Sequence, residues 1–204
     1  AGIYRNVWLK IRGENYIETH GVYISTRREK EGNNLWLVEV DTDLHLCQAG
    51  ELTHRLMDGD RVLAFAKSIV TEKDTGRTNR QRLLVTDPCL WSPENPKLYQ
   101  LITELYIITE DEKGIRRRQE VETLSHRIGF KEAVFDPNEG LILNGKKIKL
   151  QGTCEHHDLG ALGAAFNKTA LRRRFKLLKE MGVNAVRTAH NMPAPEFMDL
   201  ADEM

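Results

Sequence analysis

The chain has 204 residues, 40% of them hydrophobic and 29% charged, which is typical of one or two globular domains with a sizeable core. Its 30 basic and 30 acidic residues leave no net charge, so no long-range field favours nucleic acid as a partner. No stretch approaches the ~20 consecutive apolar residues of a membrane-spanning helix, and we therefore expect no membrane partner.

Apolar and polar residues alternate along residues 16–125, with turn residues every ten or so positions, and this pattern predicts a β-sandwich. The alternation is clearest from Trp36 to Leu44, where the even-numbered residues are predicted to face the core. In the next predicted strand Leu63, Phe65 and Ile69 lie on one side, and residues 73–77 then supply a turn that contains a glycine.

A hairpin is predicted to complete the sandwich. After a strand at residues 81–85, residues 98–108 and 115–125 pair across a turn at residues 111–114. The residues that share one face of the first hairpin strand are Leu101, Thr103, Leu105 and Ile107. About seven short strands in a segment of this length are typical of an immunoglobulin-like sandwich.

Pro88, Pro93 and Pro96 interrupt this pattern. Because proline lacks a backbone donor, the segment is predicted to be a loop or a sheet edge. Trp91 and Tyr99 are predicted to pin the loop onto the sandwich core, although an aromatic side chain in such a loop can alternatively serve as a platform for a sugar ring.

Three cysteines, Cys47, Cys89 and Cys154, are widely spaced along the chain. Their odd number and the lack of a paired spacing predict free, buried thiols. A reducing compartment is compatible with this composition but not required by it.

The periodicity changes after Phe130, and a tight turn at Asn144-Gly145 leads to a strand predicted at residues 146–152. Asn167 is a good N-cap for a helix that Gly182 ends. The predicted apolar face of this helix consists of Leu171, Phe175, Leu178 and Met181, and its predicted solvated residues are Arg172, Arg173 and Arg174.

Residues 183–186 form an apolar run typical of a strand buried on both faces, and a second helix is predicted to begin near Pro195. Strand, helix, strand and helix imply a parallel pair of strands joined by a right-handed crossover. The pattern therefore predicts an incomplete α/β segment after the all-β sandwich.

Histidines and an arginine follow the two predicted parallel strands. His156 comes after the first strand, and Arg187 and His190 come at the end of the second. The carboxyl ends of parallel strands lie on one edge of a sheet, which we call the rim, and neighbouring strands are about 4.8 Å apart. These side chains are therefore predicted to converge on one pocket.

Four motifs in order resemble the β-galactosidase family of glycoside hydrolases, glycoside hydrolase family 2, which also contains β-glucuronidases. They are GIYRNVWL at residues 2–9, LWSPENPKLY at residues 90–99, GTCEHHD at residues 152–158 and VNAVRTAHN at residues 183–191. The resemblance implies that the α/β segment is the first βα units of a TIM barrel. It also implies three parts: 1–14 as the tail of a preceding sugar-binding-type β-sandwich, 15–127 as the immunoglobulin-like domain, and 128–204 as the N-terminal part of a (β/α)8 catalytic barrel.

The resemblance also implies roles for individual residues. His156 and His190 match histidines that hydrogen-bond sugar hydroxyls, with Asn191 and Asp158 on the same rim as further substrate-binding residues. Arg187 matches the arginine that positions the nucleophilic carboxylate. Without the resemblance, a histidine after a strand is more often a surface or core residue than a ligand.

Both catalytic glutamates of the family follow later barrel strands, so no catalytic residue is assigned here and the fragment itself is expected to be inactive. The carboxylates present, Glu155, Asp158, Glu196 and Glu203, match no catalytic motif. The expected substrate is a terminal β-galactoside, because residues 159–164 offer no cation for a carboxylated sugar; a β-glucuronide is the alternative.

Further expectations concern partners and rival sites. No cofactor is expected within the fragment, although the parent protein could use a divalent cation and form a homo-oligomer, in a bacterial cytoplasm or periplasm. Cys154, His156, His157 and Asp158 could alternatively bind zinc, although four ligands at one strand end rarely surround a tetrahedral ion. The sandwich could instead be a non-catalytic interaction module. Without further barrel strands, residues after Ile128 are expected to be loosely ordered or buried against another copy.

Overall fold

The computed structural model describes residue 3 and residues 5–29, 33–110 and 113–204. Two compact units divide the chain. The first, the sandwich unit, consists of Lys10–Cys89 and Leu98–Phe130; the second, the α/β unit, consists of Leu90–Lys97, Lys131–Met204 and the described part of Ala1–Leu9. Gly2 and Tyr4 of the first motif, and Asp111 and Glu112 of the predicted hairpin turn, lie outside the described residues.

The sandwich unit contains two antiparallel sheets, as the alternating pattern predicts. Its strands are β1 (Tyr16–Arg28), β2 (Leu35–His45), β3 (Gly50–Asp58), β4 (Arg61–Val70), β5 (Thr78–Thr86), β6 (Tyr99–Glu110) and β7 (Arg116–Ile128). One sheet has the order β1-β2-β5 and the other the order β4-β3-β6-β7. The prediction of an immunoglobulin-like sandwich is confirmed.

The even-numbered residues of β2 face the core of the sandwich unit. Trp36, Val38 and Val40 are completely buried. Phe130 lies with its ring edge-on to Trp36 at 5.6 Å between centroids, and to Tyr99 at 5.2 Å. Burial of such side chains contributes roughly 1.5–3 kcal/mol each, so Phe130, two residues after β7, helps to hold both sheets together.

The predicted face of β4 turns outward. Phe65 and Ile69 are 53% and 62% exposed, whereas Val70, on the opposite face, is completely buried. Ala64 and Ala66 share the inward face with Val70, because successive side chains of a strand point to opposite faces of the sheet.

The three cysteines are free, as predicted, but the prediction that they are buried is wrong: Cys47, Cys89 and Cys154 are all exposed. The proline-rich loop also differs from the prediction. Tyr99 packs in the sandwich core, but the Trp91 Nε1 donates to the Asp202 backbone oxygen at 2.8 Å, within the α/β unit. Trp91 thus attaches the loop to the helix at residues 195–203 and not to the sandwich core.

A histidine lies at the centre of the sandwich core. His54 is completely buried, with its Nε2 3.3 Å from the Thr42 Oγ1 and its Nδ1 3.0 Å from the Thr103 Oγ1. Desolvation, with a smaller contribution from the nearby His126, lowers the pKa of His54 from 6.5 to about 4. The two threonine hydroxyls satisfy a neutral imidazole, so folding keeps this ring uncharged.

The α/β unit begins with a small antiparallel sheet of β8 (Ala133–Asp136), β9 (Gly140–Leu143) and β10 (Lys146–Ile148). The turn between β9 and β10 is the predicted Asn144-Gly145 pair, and both residues have positive φ, 52° and 77°. The single strand predicted at residues 146–152 is wrong, because the Asn184 side chain donates to the Lys149 oxygen and accepts from the Gln151 amide. The backbone between residues 149 and 151 therefore bonds to a side chain instead of to a neighbouring strand, and β10 ends before the next strand begins.

The remaining elements are β11 (Gly152–Glu155), α1 (Lys168–Glu180), β12 (Ala185–Thr188) and α2 (Pro195–Glu203). A parallel pair is present as predicted, but β11 and β12, which form it, lie further along the chain than the strands predicted at residues 146–152 and 183–186. The predicted helix signals hold: the Asn167 side chain accepts from the Ala170 amide, and Gly182 has φ 84°. Within the described ranges, neither helix is long and apolar enough to cross a membrane.

The two helices bury their apolar faces against each other. Leu171 and Phe175 of α1 pack with Phe197 and Leu200 of α2, so the apolar face of α1 is covered within the chain. Met181, predicted on the same face, is the C-cap residue that follows α1 and is 75% exposed. The run at residues 183–186, predicted to be buried on both faces, is only half-buried, and Val186 packs against the helix cluster.

The burial of His54 predicts a pH-dependent stability. An unfolded chain binds a proton at this histidine below pH 6.5, whereas the folded chain does so only near pH 4. The contribution of neutral His54 to the free energy of unfolding is therefore fully present above pH 6.5. About 3 kcal/mol of it is lost as the pH falls to 4. Urea denaturation followed by tryptophan fluorescence measures this slope.

Two variants separate His54 from other acid-sensitive groups. We expect His54→Leu to reduce the slope between pH 6.5 and 4, even if its stability at pH 7 is lower, and the slope that remains is expected to come from His126, whose pKa is also lowered by desolvation. His45→Gln, which changes a histidine stacked on Tyr16 at the end of β2 in the other sheet, should retain the slope. An unchanged slope in the His54 variant would contradict the assignment.

Candidate functional site

The rim is built on the parallel pairing of β11 and β12. Cys154 lies opposite Arg187, and Glu155 lies opposite Thr188. At the start of the pair, a Cβ on Gly152 would stand 2.7 Å from the Ala185 carbonyl oxygen, so a glycine is needed for the strands to approach. The Ala189 amide donates to the Glu155 oxygen at 2.9 Å. The segments that follow β11 and β12 therefore leave the sheet at the same edge.

The two predicted sugar-binding histidines are neighbours at this edge. The rings of His156 and His190 have their centroids 5.3 Å apart and are nearly perpendicular, at 81°. Both side chains are exposed, and the peptide bond between Ala189 and His190 is cis. The parallel strands thus bring together side chains that are separated by 33 intervening residues in the sequence.

Arg187 links the two strands to the histidine pair. Its Nη2 lies 3.2 Å from the His190 Nδ1, and its Nη1 lies 3.9 Å from the Cys154 Sγ. Because a guanidinium only donates, the His190 Nδ1 must accept, and the proton of the neutral ring is on Nε2. The free edge of His190 therefore presents a hydrogen-bond donor at the rim.

His157 has partners for both ring nitrogens. The Arg5 Nη2 lies 3.1 Å from its Nδ1, and its Nε2 lies 3.3 Å from the Asn191 carbonyl oxygen. By the same donor argument, Nδ1 accepts from Arg5 and Nε2 donates to Asn191. Sequence reasoning did not assign a role to Arg5, although it belongs to the first motif, because nothing in the local pattern places residues 2–9 beside the rim.

Glu155 lines the same small cavity as His156 and His157 but is bonded to α1. Its carboxylate is 8% exposed and accepts from the Arg174 Nη1 at 2.5 Å. The prediction that the arginines of α1 are solvated is therefore wrong for Arg174, and Arg172 forms an ion pair with Glu203. A buried carboxylate needs such a partner, so Glu155 connects the end of β11 to α1.

The other predicted substrate-binding residues also lie on the rim. The side chains of Asp158 and Asn191 are exposed, in the loops that follow β11 and β12. A cavity of about 40 Å³ is lined by His156, His157 and Asp158 among others. It is too small for a sugar ring, since small-molecule pockets are usually about 300 Å³ or larger. A larger cavity of about 270 Å³ is lined mainly by apolar residues between α1 and Trp91 and contains none of the predicted site residues.

The geometry of the described residues does not support the alternative of a zinc site. Across residues 5–29, 33–110 and 113–204, no three His, Cys, Asp or Glu side chains are grouped so that they could hold a metal ion. His157 is already bonded at both nitrogens, and Cys154 is directed toward the Arg187 guanidinium. A cation such as zinc would be placed next to that positive charge.

Two models of one protein family match the chain. The model described as "Glycosyl hydrolases family 2" matches residues 15–131, and the model described as "Glycosyl hydrolases family 2, TIM barrel domain" matches residues 135–204. A solved structure described as a glycosyl hydrolase family 2 member from Bacteroides cellulosilyticus aligns with a TM-score of 0.85 and 31% identity, over 99% of this chain and 25% of that one.

Curated relatives match along the whole chain. A β-galactosidase of Bacteroides ovatus is 35% identical over 210 residues, and a putative β-glucuronidase of Formosa agariphila is 30% identical over 206 residues, each comparison covering 100% of this chain. The chain spans 23% of the length of the first relative and 18% of the second. Relatives with different substrate names thus share this segment.

The ion pair between Glu155 and Arg174 predicts an asymmetric effect of two neighbouring substitutions. Arg174→Met leaves a buried carboxylate without its partner and should lower the opening free energy of α1 by about 2 kcal/mol. Hydrogen exchange of the α1 amides measures this. Arg173→Met changes the adjacent exposed arginine and should remain within about 0.5 kcal/mol of the unchanged chain. Equal effects of the two substitutions would refute the predicted role of the pair.

Proposed function

The chain belongs to glycosyl hydrolase family 2, and from this premise we propose that it is part of a retaining glycosidase that cleaves terminal β-galactosides. The rim after β11 and β12 would bind the sugar beside the cleaved bond. The observation that carries this proposal is the grouping of His156, His190 and Arg187 at the end of one parallel strand pair.

The proposed role of the histidines is to hydrogen-bond sugar hydroxyls. A hydroxyl both donates and accepts, and a neutral imidazole offers both functions on its two nitrogens. The proton on the His190 Nε2 makes the free edge of this ring a donor to a sugar oxygen. His156, with its ring edge-on to His190, would contact a neighbouring oxygen, and the exposed Asp158 and Asn191 would accept or donate at the margin.

The proposed role of Arg187 is to hold the nucleophilic carboxylate ionised and aligned. A guanidinium is always charged, and it binds carboxylates in a planar, two-pronged geometry. Its present partners, the His190 Nδ1 and the Cys154 Sγ, are uncharged acceptors, and a carboxylate forms a stronger bond than either. Arg187 would thus turn part of its fork toward the nucleophile.

We propose that the acid/base and the nucleophile are supplied from outside this chain. Retaining glycosidases need two carboxyl groups about 5–5.5 Å apart. Glu155 cannot be one of them, because its carboxylate is buried against Arg174 on the helix side of β11. Asp158 is exposed in the loop after β11 and matches no catalytic motif of the family. The chain alone is therefore expected to be inactive, and the roles proposed for its own residues require no cofactor.

A β-glucuronidase is the second candidate function, and Arg5 is the observation that favours it. Residues 159–164 contain no cation, which favours a galactoside, yet the Arg5 Nη1 donates to the Ala164 oxygen at 3.3 Å. A positive charge therefore stands beside this loop. Both Arg5 amino nitrogens already donate within the protein, so we retain the galactoside as the main proposal.

The remaining expectations stay proposals. They are a divalent cation and a homo-oligomer in the whole protein, and a bacterial cytoplasmic or periplasmic location. A non-catalytic role for the sandwich unit is compatible with catalysis elsewhere in the same protein, since the predicted site residues are all in the α/β unit.

The proposal predicts the activity of the hydrolase that contains this chain. On nitrophenyl glycosides, we expect release from the β-galactoside to exceed release from the β-glucuronide, and the chain alone to release neither. His190→Asn and Arg187→Met should each lower kcat by roughly 10²-fold or more, because each removes a charged or polar contact at the reacting centre.

Arg173→Met serves as the matched control, since it removes an exposed arginine from the same unit. It should leave kcat within about twofold of the unchanged enzyme. Preference for the glucuronide would favour the second candidate, and a normal kcat for Arg187→Met in a folded protein would refute the proposed role of this arginine.

A further inference from the structure

We propose that Arg5 and His157 are a positioning pair that holds the two histidine-bearing rim loops at a fixed separation. The inference rests on the proposed function, because it concerns how His156 and His190 are aligned for a sugar. It assigns a role to two residues that contact neither the sugar nor the reacting atoms in the proposal.

The pair joins the residues that directly follow the two rim histidines. His157 comes after His156, and Asn191 comes after His190. The His157 Nε2 donates to the Asn191 carbonyl oxygen at 3.3 Å, beyond the last ladder bond from Ala189 to Glu155. The hydrogen bonds between β11 and β12 fix the two segments where they leave the sheet. The bond from His157 to Asn191 fixes the same two segments again two residues further on.

Arg5 determines which way this bond can run. The guanidinium has no acceptor, so its Nη2, 3.1 Å from the His157 Nδ1, forces that nitrogen to accept. A neutral ring with an accepting Nδ1 carries its proton on Nε2, where it is needed for the bond to the Asn191 carbonyl. Two directed bonds on opposite sides of one ring also fix the orientation of that ring.

Arg5 is itself attached to the rest of the unit. Its Nη1 donates to the Ala164 oxygen at 3.3 Å, so a single guanidinium contacts the beginning and the end of the loop that contains His157. The neighbouring Asn6 donates from its Nδ2 to the Glu196 carboxylate in the first turn of α2, at 3.2 Å. Residues 5 and 6 thus connect the loop after β11 to the helix that follows the loop after β12.

Small changes in the positions of catalytic contacts have large effects on rate. A displacement of about 1 Å lowers activity by about 10²-fold when the geometry of the reacting groups depends on it. We call the bond from the His157 Nε2 to the Asn191 carbonyl oxygen, with its support from Arg5, the tie. The ring centroids of His156 and His190 are 5.3 Å apart, and each histidine directly precedes a residue of the tie. Loss of the tie should therefore misplace the histidines without removing either.

The test uses the full-length hydrolase with a nitrophenyl glycoside that it cleaves. His157→Asn places an amide oxygen near the position of Nδ1 and can keep the bond from Arg5; His157→Gln places an amide nitrogen near Nε2 and can keep the bond to Asn191. His157→Phe keeps neither, and Arg5→Met removes the donor. We expect His157→Phe and Arg5→Met to lower kcat by about 10- to 100-fold, and at least one of the amide variants to recover part of the loss.

Two readouts distinguish positioning from general destabilisation. In a double-mutant cycle, Arg5→Met combined with His157→Phe should lower kcat no further than either alone, because both remove the same tie. Hydrogen exchange should become faster in residues 157–164 and 189–193, with α1 unchanged. Lys10→Met, a change to a charged residue near Arg5 in sequence, is the control and should change neither kcat nor exchange.

Multiplicative losses in the double variant, an unchanged kcat in His157→Phe, or faster exchange throughout α1 would overturn the inference. If the unchanged hydrolase cleaves no glycoside, the proposed function fails. The hydrogen-exchange experiment then tests the positioning role of Arg5 and His157 by itself. Unchanged exchange rates in residues 157–164 of the Arg5→Met variant would refute that role.

Discussion

The parallel pairing of β11 with β12 is the constraint on which the rim depends. The register places Cys154 opposite Arg187, and a shift by one residue would turn every side chain of one strand to the other face. Gly152 permits this register, because any Cβ there would collide with the Ala185 carbonyl oxygen. One glycine at the start of a strand therefore determines which groups meet at its far end.

Alternation along β11 separates two kinds of polar contact. Cys154 points to the face where it meets Arg187, whereas the next residue, Glu155, points to the opposite face and binds Arg174. The contact on the first face is exposed and belongs to the rim; the contact on the second is buried and docks α1. The same strand thus supplies a functional surface and its own attachment to the helical layer.

Local signals in the sequence were sufficient for the elements and their order. The alternation along β2, the cap at Asn167 and the glycine at Gly182 each depend on neighbouring residues only, and all three are present in the structure. What the sequence could not supply were partners distant along the chain. Examples are Trp91 with Asp202, and Arg5 with His157, because no local periodicity records which loop lies beside which. The rim histidines were found from a family motif combined with the rule that parallel strands end on one edge.

The arrangement of Arg187 indicates how this rim would respond to a completed active site. Its guanidinium now donates to a neutral imidazole and a thiol, both weaker acceptors than a carboxylate. A carboxylate brought within reach would therefore take over one or both amino groups. The His190 Nδ1 would then lose its donor, and its ring would no longer be confined to the tautomer with the proton on Nε2. His157 would keep its tautomer, because the donor to its Nδ1 is Arg5 and not Arg187. The rim thus combines one histidine whose proton position is fixed by the scaffold with one whose proton position depends on the group that binds Arg187.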